Sequence, residues 1–246
     1  MTDDAIPAAT LIVMRQAAAG PPELLMVTRT RAMAFAGGAM VFPGGRIDAQ
    51  DQALGAGLPD GAARAAAIRE TLEESGIPVA VHGDLDTSST ALLQEELHAG
   101  TPFRDLLQQH GLALNLLALT PFARWKPAFK QPRKFDTLFF LAEAPAGDWP
   151  LLPQPGECEQ VEWITAAAVL DRIAEGSASA IFPTVRNLER LALFASITEA
   201  RIHAEAHPIE TITPWIDEED GERWLRIPEH LGYPVTRERL SDAIRA

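Results

Sequence analysis

Three glutamates within five residues, Glu70, Glu73 and Glu74, are the side chains best suited to chemistry in this chain. If the segment is helical, at about 100° per residue, the three carboxylates fall within one sector of roughly 100°. Like charges at this spacing repel each other, and a bound cation would relieve the repulsion. Because carboxylate oxygens are hard ligands, they suit Mg²⁺ or Mn²⁺ better than Zn²⁺. The spacing therefore predicts a divalent-metal site that meets a phosphate, and a solvated helix face is the alternative.

The residues around the three glutamates favour the metal site. Arg69 precedes them, Gly76 is placed to end the helix, and Ile77 begins an apolar stretch. A tight F-P-G-G turn lies upstream at 42–45. These segments resemble the start and the second half of the Nudix box, R-E-U-x-E-E-x-G-U, in which U is aliphatic. Thr71 stands where that family usually has an aliphatic residue.

The resemblance implies a fold, an activity and a set of site residues. The fold is an α/β/α sandwich with a mixed sheet and extra helices, which agrees with the mixture of strands and helices predicted along the chain. The activity is divalent-metal-dependent hydrolysis of a diphosphate joined to another group. The resemblance assigns catalysis to Arg69, Glu70, Glu73 and Glu74, and metal binding to Gly45, Glu70, Glu73 and Glu74. The general base stays open among Glu74, Glu157 and Glu159.

The first glutamate of the box is missing. Seventeen residues separate Asp51 from Arg69, where the family pattern has seven. The glycine-rich insert at 52–61 is expected to be a loop, and Asp60 gives a helix start signal. We therefore expect the insertion to lengthen the loop and to leave a helix at about 62–75 intact. Asp51 and Asp60 are both candidates to replace the missing glutamate.

The segment before the box narrows the substrate class. A leucine pair and a threonine–arginine step at 24–30, followed by glycines and F-P-G-G at 37–45, resemble the motif upstream of the box in coenzyme A diphosphatases. One branch of that group also carries an insertion in its box. The match to the motif is partial, because Arg31 comes earlier than the motif's second arginine. The resemblance implies hydrolysis of the diphosphate linkage of coenzyme A or acyl-coenzyme A. One alternative is hydrolysis of ADP-ribose, NADH or another nucleoside diphosphate derivative, and another is a catalytically silent nucleotide-binding module.

All three lysines of the chain fall within one short basic segment. With two arginines they make five cations and no acid between 124 and 134. A local positive patch in an acidic chain suits an anionic ligand, such as the separate ribose phosphate of coenzyme A. A solvated basic loop is the alternative. The residues expected to bind substrate are Arg29, Arg46, Lys126, Lys130, Arg133 and Lys134.

Composition argues against several other classes. The formal net charge of −13 disfavours general nucleic-acid binding, and no membrane span is expected. The acidic first residues lack the positive region of a secretory signal, and the single cysteine, Cys158, agrees with a reducing cytoplasm. We expect one Nudix-like domain over 1–246, with a helical insertion at about 86–112 and a C-terminal extension at about 208–246. The expected partner is a small-molecule diphosphate, and a homodimer is suggested by the resemblance alone.

Hydrophobic periodicity and turn residues predict the elements that would carry the site. Strands are expected at 10–15, 24–29, 39–42 and 161–164 and within 116–125 and 135–144, with an extended segment at 78–81. Helices are expected at 88–98, 102–110, 165–174 and 184–205, and a hairpin at 211–215 and 224–227. His203 and His207, four residues apart on a predicted helix, offer zinc binding as a different interpretation, although no third ligand is signalled.

Overall fold

A mixed eight-stranded sheet forms the centre of the computed structural model, which describes residues 5–33, 36–127 and 134–243. In chain order the strands are β1 Ile6–Arg15, β2 Glu23–Arg29, β3 Met40–Val41, β4 Gly44–Arg46, β5 Val81–His82, β6 Ala113–Leu114, β7 Thr120–Trp125, β8 Phe135–Glu143, β9 Cys158–Thr165, β10 Thr211–Ile212, β11 Trp215–Glu219, β12 Glu222–Arg226 and β13 Arg237–Arg239. The central sheet has the order β10-β7-β8-β1-β2-β3, while β4 also pairs with β1 and β9 with β2. Strand β8 runs parallel to β1, whereas β2 and β4 run antiparallel to it.

Eight helices in the described residues connect and cover these strands. They are α1 Ala49–Leu54, α2 Gly61–Ser75, α3 Thr87–His98, α4 Phe103–Gln109, α5 Ala166–Ala174, α6 Phe182–Leu191, α7 Ile197–Glu205 and α8 Leu240–Ala243. Strands β5 and β6 form a small separate sheet, and β11, β12 and β13 form another. The second small sheet and α8 lie in the predicted C-terminal extension, and α3 and α4 lie in the predicted insertion.

The side chains of β1 divide the hydrophobic core because they alternate between the two faces of the sheet. Leu11 and Val13 pack with residues of α2, α3 and α4, whereas Ile12 and Met14 pack with residues of α5, α6 and α7. Helices thus cover both faces of a mixed sheet. The predicted α/β/α sandwich is confirmed.

The insertion in the box is not the plain loop that we predicted, since part of it is helical. Asp48 begins α1 with a capping box, in which the Asp51 side chain accepts a hydrogen bond from the Asp48 amide at 2.8 Å. A tight turn then leads to α2, and Gly55 and Gly61 touch through their backbones. A Cβ atom at Gly61 would lie 2.1 Å from the Gly55 carbonyl oxygen, so no larger residue fits without a backbone shift. The insertion therefore adds one short helix and leaves α2 whole.

Helix α2 ends where the sequence predicts. Gly76 follows its last residue with a φ of 74°, a left-handed conformation that glycine adopts without strain. Thr71, the departure from the aliphatic residue of the box, is fully buried. Its hydroxyl donates to the Ala67 carbonyl oxygen at 2.7 Å, so the polar group is satisfied inside the helix.

Three predictions about elements are wrong. The helix expected at 184–205 is divided into α6 and α7, because Ser196 caps a new helix by accepting a hydrogen bond from the Glu199 amide. Strand β10 pairs in parallel with β7, and the C-terminal hairpin is formed by β11 and β12 instead. The extended segment expected at 78–81 contributes only Val81 to a strand. Across the described ranges, no helix is long and apolar enough to cross a membrane.

Candidate active site

Arg69 is the centre of a buried ion-pair network on α2. Its Nε and Nη2 atoms donate to the two carboxylate oxygens of Asp51 at 3.1 and 2.9 Å. Asp51 is completely buried, so this pairing replaces the water that both charges lose. Asp60 instead precedes the first turn of α2, with a left-handed φ of 53°. Of the two candidates for the missing box glutamate, Asp51 is the one that contacts Arg69.

Glu70 lies between Arg69 and the turn at Gly45. Its Oε1 atom accepts a hydrogen bond from Arg69 Nη1 at 2.8 Å. A Cβ atom at Gly45 would lie 2.5 Å from the Glu70 carboxyl carbon, so glycine is needed for this close approach. Burial raises the pKa of Glu70 to about 7; the charge of Arg69 opposes the rise and that of Glu73 adds to it.

Glu74 is the most buried of the three box glutamates. Its Oε2 atom accepts a hydrogen bond from the Gly44 amide at 3.0 Å, and its Oε1 atom lies 3.8 Å from Arg29 Nη1. Burial raises the pKa of Glu74 to about 8, and the charge of Glu70 adds to the rise. Arg29, which we predicted to bind substrate, thus lies against a box glutamate.

Glu73 is more exposed and faces a different set of groups. One of its carboxylate oxygens lies 3.5 Å from Arg69 Nη1, and the other lies 3.5 Å from the side-chain nitrogen of Gln154. Burial raises the pKa of Glu73, while the charges of Arg69 and His98 oppose the rise and that of Glu157 adds to it. Three carboxyl groups with raised pKa values therefore lie within two turns of one helix.

The three candidates for the general base differ in their surroundings. The exposed side chain of Glu157 is close enough for its charge to raise the pKa values of both Glu73 and Glu74. The Glu159 carboxylate instead accepts a hydrogen bond from the Arg31 amide at 3.4 Å. Glu157 therefore adjoins the box glutamates through space, and Glu74 is one of them.

The residues of this site suit a hard divalent cation. Their side-chain donors are carboxylate oxygens, and a bound cation would offset the burial and the mutual repulsion that raise the pKa values of Glu70 and Glu74. Among the described residues, no three acidic, histidine or cysteine side chains already converge as a metal-ligand cluster. The Glu70 carboxylate accepts a hydrogen bond from Arg69 and the Glu74 carboxylate accepts one from the Gly44 amide.

The other predicted substrate-binding residues, and Arg124 of the basic segment, differ in their exposure and in their partners. Arg46 has an exposed side chain, and its carbonyl oxygen accepts from Arg69 Nη2 at 3.0 Å. Arg124 is held by Asp136 through two hydrogen bonds of 2.8 Å, so its charge is largely neutralised. Lys126 and Lys134 are partly buried at the base of the β7–β8 hairpin. Lys130 and Arg133 fall outside the described residues.

Strand register gives the separation between the box and the basic segment. Gly45 pairs with Ala9, Ala9 with Leu138, and Leu138 with Arg124, so one row crosses four strands. Three strand spacings amount to about 14 Å. A cavity of about 430 Å³ opens over this row, between the box insertion and the first residues of β1 and β8. None of the box glutamates lines it.

The histidine pair on α7 does not form a zinc site. The rings of His203 and His207 stack with their centroids 4.2 Å apart, so their nitrogens do not converge on a common point. Arg190 lies within hydrogen-bonding distance of Nδ1 of His203, and Nδ1 of His207 contacts the His203 carbonyl oxygen at 2.7 Å. These contacts cap and pack a helix end.

The geometry can now be set beside known proteins. A family model described as the NUDIX domain matches residues 5–184. The chain belongs to the Nudix family. A crystal structure of a Nudix hydrolase from Alicyclobacillus acidocaldarius is 30% identical to it, with a TM-score of 0.70, and the match covers 82% of this chain and 97% of that one. The chain is therefore a Nudix-type pyrophosphohydrolase, a class of enzyme that generally uses divalent metal ions.

Other solved Nudix structures are more distant. An Ap4A hydrolase complex from C. elegans is 17% identical, with a TM-score of 0.38, over 70% of this chain and 91% of that one. The Nudix domain of Shewanella oneidensis NrtR, solved with ADP ribose, is 12% identical, with a TM-score of 0.40, over 69% and 78%. Both differ too much from this Nudix chain to carry an argument about it. The comparison with curated proteins found no match.

Sequence reasoning missed several contacts that surround the box glutamates. Gln94 and His98 on α3 both contact the backbone of Glu73, although neither belongs to the box. Gln154, in the loop before β9, reaches the same residue. These contacts join segments about 20 to 80 residues apart, and no local spacing signals them.

Proposed function

We propose that this Nudix hydrolase cleaves the diphosphate linkage of coenzyme A or acyl-coenzyme A with Mg²⁺ or Mn²⁺. The observation that carries the metal-dependent part is the set of three carboxylates with raised pKa values on one helix, of which those of Glu70 and Glu74 pack against the Gly44–Gly45 turn. The upstream segment at 24–45, with its partial likeness to the coenzyme A diphosphatase motif, supports the choice of substrate.

In this proposal Glu70, Glu73, Glu74 and the Gly45 carbonyl oxygen hold the cation. When bound, the cation supplies charge neutralisation at the phosphate oxygens and a water molecule of lowered pKa. Arg69, fixed by Asp51, holds Glu70 and limits the directions in which its carboxylate can turn.

Hydrolysis of the diphosphate needs an attacking water and a group of the protein that accepts its proton. The oxygen of the attacking water bonds to one phosphorus while the bond from that phosphorus to the bridging oxygen breaks. We assign the water's proton to Glu157, because its side chain is exposed and close enough for its charge to act on Glu73 and Glu74. Glu74 is the second candidate for the general base.

Coenzyme A also gives the basic segment a purpose. Its diphosphate would meet the cation, while its ribose phosphate would approach Lys126, Lys130, Arg133 or Lys134. The row from Gly45 to Arg124 spans about 14 Å. The long lysine side chains reduce the distance that the substrate has to bridge. Arg29 Nη1 lies 3.8 Å from the Glu74 carboxylate. With Glu74 bound to the cation, Arg29 would contact the diphosphate. Arg46, exposed on the strand beside Gly45, completes the set.

Product screening by mass spectrometry tests the proposal. The purified protein is incubated with coenzyme A, an acyl-coenzyme A, ADP-ribose and NADH, first with Mg²⁺ and then with Mn²⁺. We expect the two halves of coenzyme A as products from the wild type and none from Glu73→Gln. Products from ADP-ribose or NADH alone would show that coenzyme A is not the substrate. Tight binding of one of the four compounds without any product would favour a silent nucleotide-binding module.

Charge reversal tests the role of the basic segment. We expect Lys126→Glu combined with Lys134→Glu to raise the Michaelis constant for coenzyme A. The control combines Arg104→Glu with Arg223→Glu, exposed positions on α4 and β12, so that net charge changes equally. An unchanged Michaelis constant in the lysine variant would remove these residues from the substrate site. We also infer a reducing compartment such as the cytoplasm, because the sequence has one cysteine, Cys158, and therefore no internal disulfide.

A further inference from the structure

The last turn of α2 carries Glu73 and Glu74. Because Gly76 ends the helix, the last carbonyl groups of this turn find no N–H donor within the helix. The carbonyl oxygen of Glu74 accepts from the Gln154 amide at 3.3 Å, and that of Ser75 from the Leu152 amide at 2.9 Å. The loop before β9 therefore fastens the end of the helix from one side.

The carbonyl oxygen of Glu73 is fastened from the other side by α3. It accepts a hydrogen bond from Gln94 Nε2 at 2.9 Å and lies 2.9 Å from His98 Nε2. Because a carbonyl oxygen can only accept, His98 must carry its hydrogen on Nε2. The two donors use both lone pairs of the oxygen.

Gln94 also connects the two sides. Its Nε2 atom donates to the Leu152 carbonyl oxygen at 2.7 Å, so one buried amide joins α2, α3 and the loop before β9. No such bridge is needed for helix formation, since water can satisfy terminal carbonyls at an exposed helix end. The bridge instead fixes the direction in which the last turn of α2 presents its carboxylates.

We propose that Gln94 and His98 are positioning residues that hold Glu73 in place for cation binding. They act through the backbone of Glu73 and touch neither substrate nor cation. The inference rests on the proposed function, in which Glu73 is a metal ligand. Groups that orient metal ligands in this indirect way typically change metal affinity by about 10–100-fold when they are removed.

Mn²⁺ binding, followed by electron paramagnetic resonance, tests the inference without relying on turnover. Gln94→Leu and His98→Phe remove the donors and keep most of the volume. His98→Gln keeps a donor that can reach the same carbonyl oxygen. The control is Thr90→Val, since Thr90 is equally buried on α3 but its hydroxyl bonds only to the Asp86 carbonyl oxygen at 2.8 Å.

We expect Gln94→Leu and His98→Phe to weaken Mn²⁺ binding by about 10-fold at a temperature where all variants are folded. His98→Gln should recover most of the affinity, and Thr90→Val should keep it even if its melting temperature falls. In turnover, kcat should decrease in the two donor-free variants while the Michaelis constant for the substrate changes little.

Two outcomes are distinguishable. If the wild type does not bind Mn²⁺, or if Glu73→Gln binds it equally well, the proposed metal site itself is wrong. If the wild type binds Mn²⁺ through Glu73 but Gln94→Leu and His98→Phe bind it with wild-type affinity, the positioning role is wrong. A loss in Thr90→Val that matches theirs would also overturn it, because the effect would then be one of helix stability.

Discussion

Two buried arginines lie on opposite faces of the central sheet and are satisfied in different ways. Arg69 is 4% exposed and Arg190 is 1% exposed. Arg69 is surrounded by carboxylates, with Asp51 and Glu70 as its nearest partners. Arg190 lies 4.1 Å from the ring centre of Phe122, to whose carbonyl oxygen it donates at 2.9 Å. Within the described ranges no carboxylate pairs with Arg190.

This difference separates a reactive site from a structural one. Around Arg69 the carboxylates outnumber the arginines, and this surplus of negative charge adds to the effect of burial, which is the main cause of the raised pKa values of Glu70 and Glu74. Such a surplus can be stabilised by a cation and is therefore open to binding. Around Arg190 the partners are aromatic rings and neutral acceptors, so cation–π contacts and a hydrogen bond stabilise its positive charge in place of a carboxylate. Burial of an arginine alone therefore does not indicate function, whereas an excess of carboxylates around it does.

The largest effect should come from neutralising the surplus itself. We expect Glu74→Gln to lower kcat/KM by about 1,000-fold, since electrostatic groups of this kind contribute to that extent. The same change should preserve or raise the stability of the metal-free protein. Glu74 has a pKa of about 8 in the fold against an ordinary value of 4.5, so the ionised group costs stability as pH rises through this window.

Activity assays and urea unfolding in EDTA at pH 5 and pH 8 would measure both effects of Glu74→Gln. Glu95→Gln, at an exposed position on α3, is the control and should change neither. A Glu74→Gln protein that keeps its activity, or that unfolds at a lower urea concentration at pH 8, would contradict the contrast between the two arginines.

The next effect should come from removing the acid that balances Arg69. Asp51→Asn leaves a buried guanidinium without its bidentate partner, and we expect a loss of about 3 kcal/mol in the free energy of unfolding. Asp48→Asn is the matched control, because its half-exposed carboxylate lies 3.8 Å from the same arginine and should contribute little. Equal losses in the two variants, measured by urea unfolding, would show that the buried pair is not special.

A smaller effect on stability, and none on turnover, is expected on the other face. Arg190→Met should cost about 2 kcal/mol, since it removes a cation–π contact with Phe122 and leaves a buried carbonyl oxygen without its donor. Activity per folded molecule should stay at the wild-type value. A drop in kcat that exceeds the unfolded fraction would mean that Arg190 also takes part in function.

The two arginines also differ in how far the sequence reveals them. The Arg69 site could be predicted because Arg69, Glu70, Glu73 and Glu74 lie on one helix, where spacing fixes relative direction. The sequence left Asp51 and Asp60 open, because the choice depends on the helix α1 that begins at Asp48. Only the last residues of that short helix fall in the loop predicted at 52–61, where the glycines that follow the helix and its brief length hide the capping signal.

The Arg190 cluster could not be predicted, because it is assembled by the fold. Its contacts come from β7, α6, α7 and the loop between β12 and β13, where the ring of Tyr233 lies 5.2 Å from Arg190. The sandwich itself followed from the order of strands and helices. The parallel pairing of β10 with β7 did not, since two residues carry too little pattern to indicate a partner.

The smallest effect concerns the response of the Arg190 face to acid. Burial lowers the pKa of His203 to about 4, and the charge of Arg190 and the stacked His207 add to the shift. Between pH 6.5 and about 4 this imidazole therefore binds a proton in the unfolded chain but not in the folded protein. The free energy of unfolding decreases as the pH falls through this window. We expect His203→Gln to flatten that part of the decrease in urea midpoint between pH 6.5 and 4.5, whereas His230→Gln, at an exposed position, should leave it unchanged. If both variants show the wild-type slope, the imidazole beside Arg190 is protonated at its ordinary pH, and the cluster tolerates a second cation beside the guanidinium.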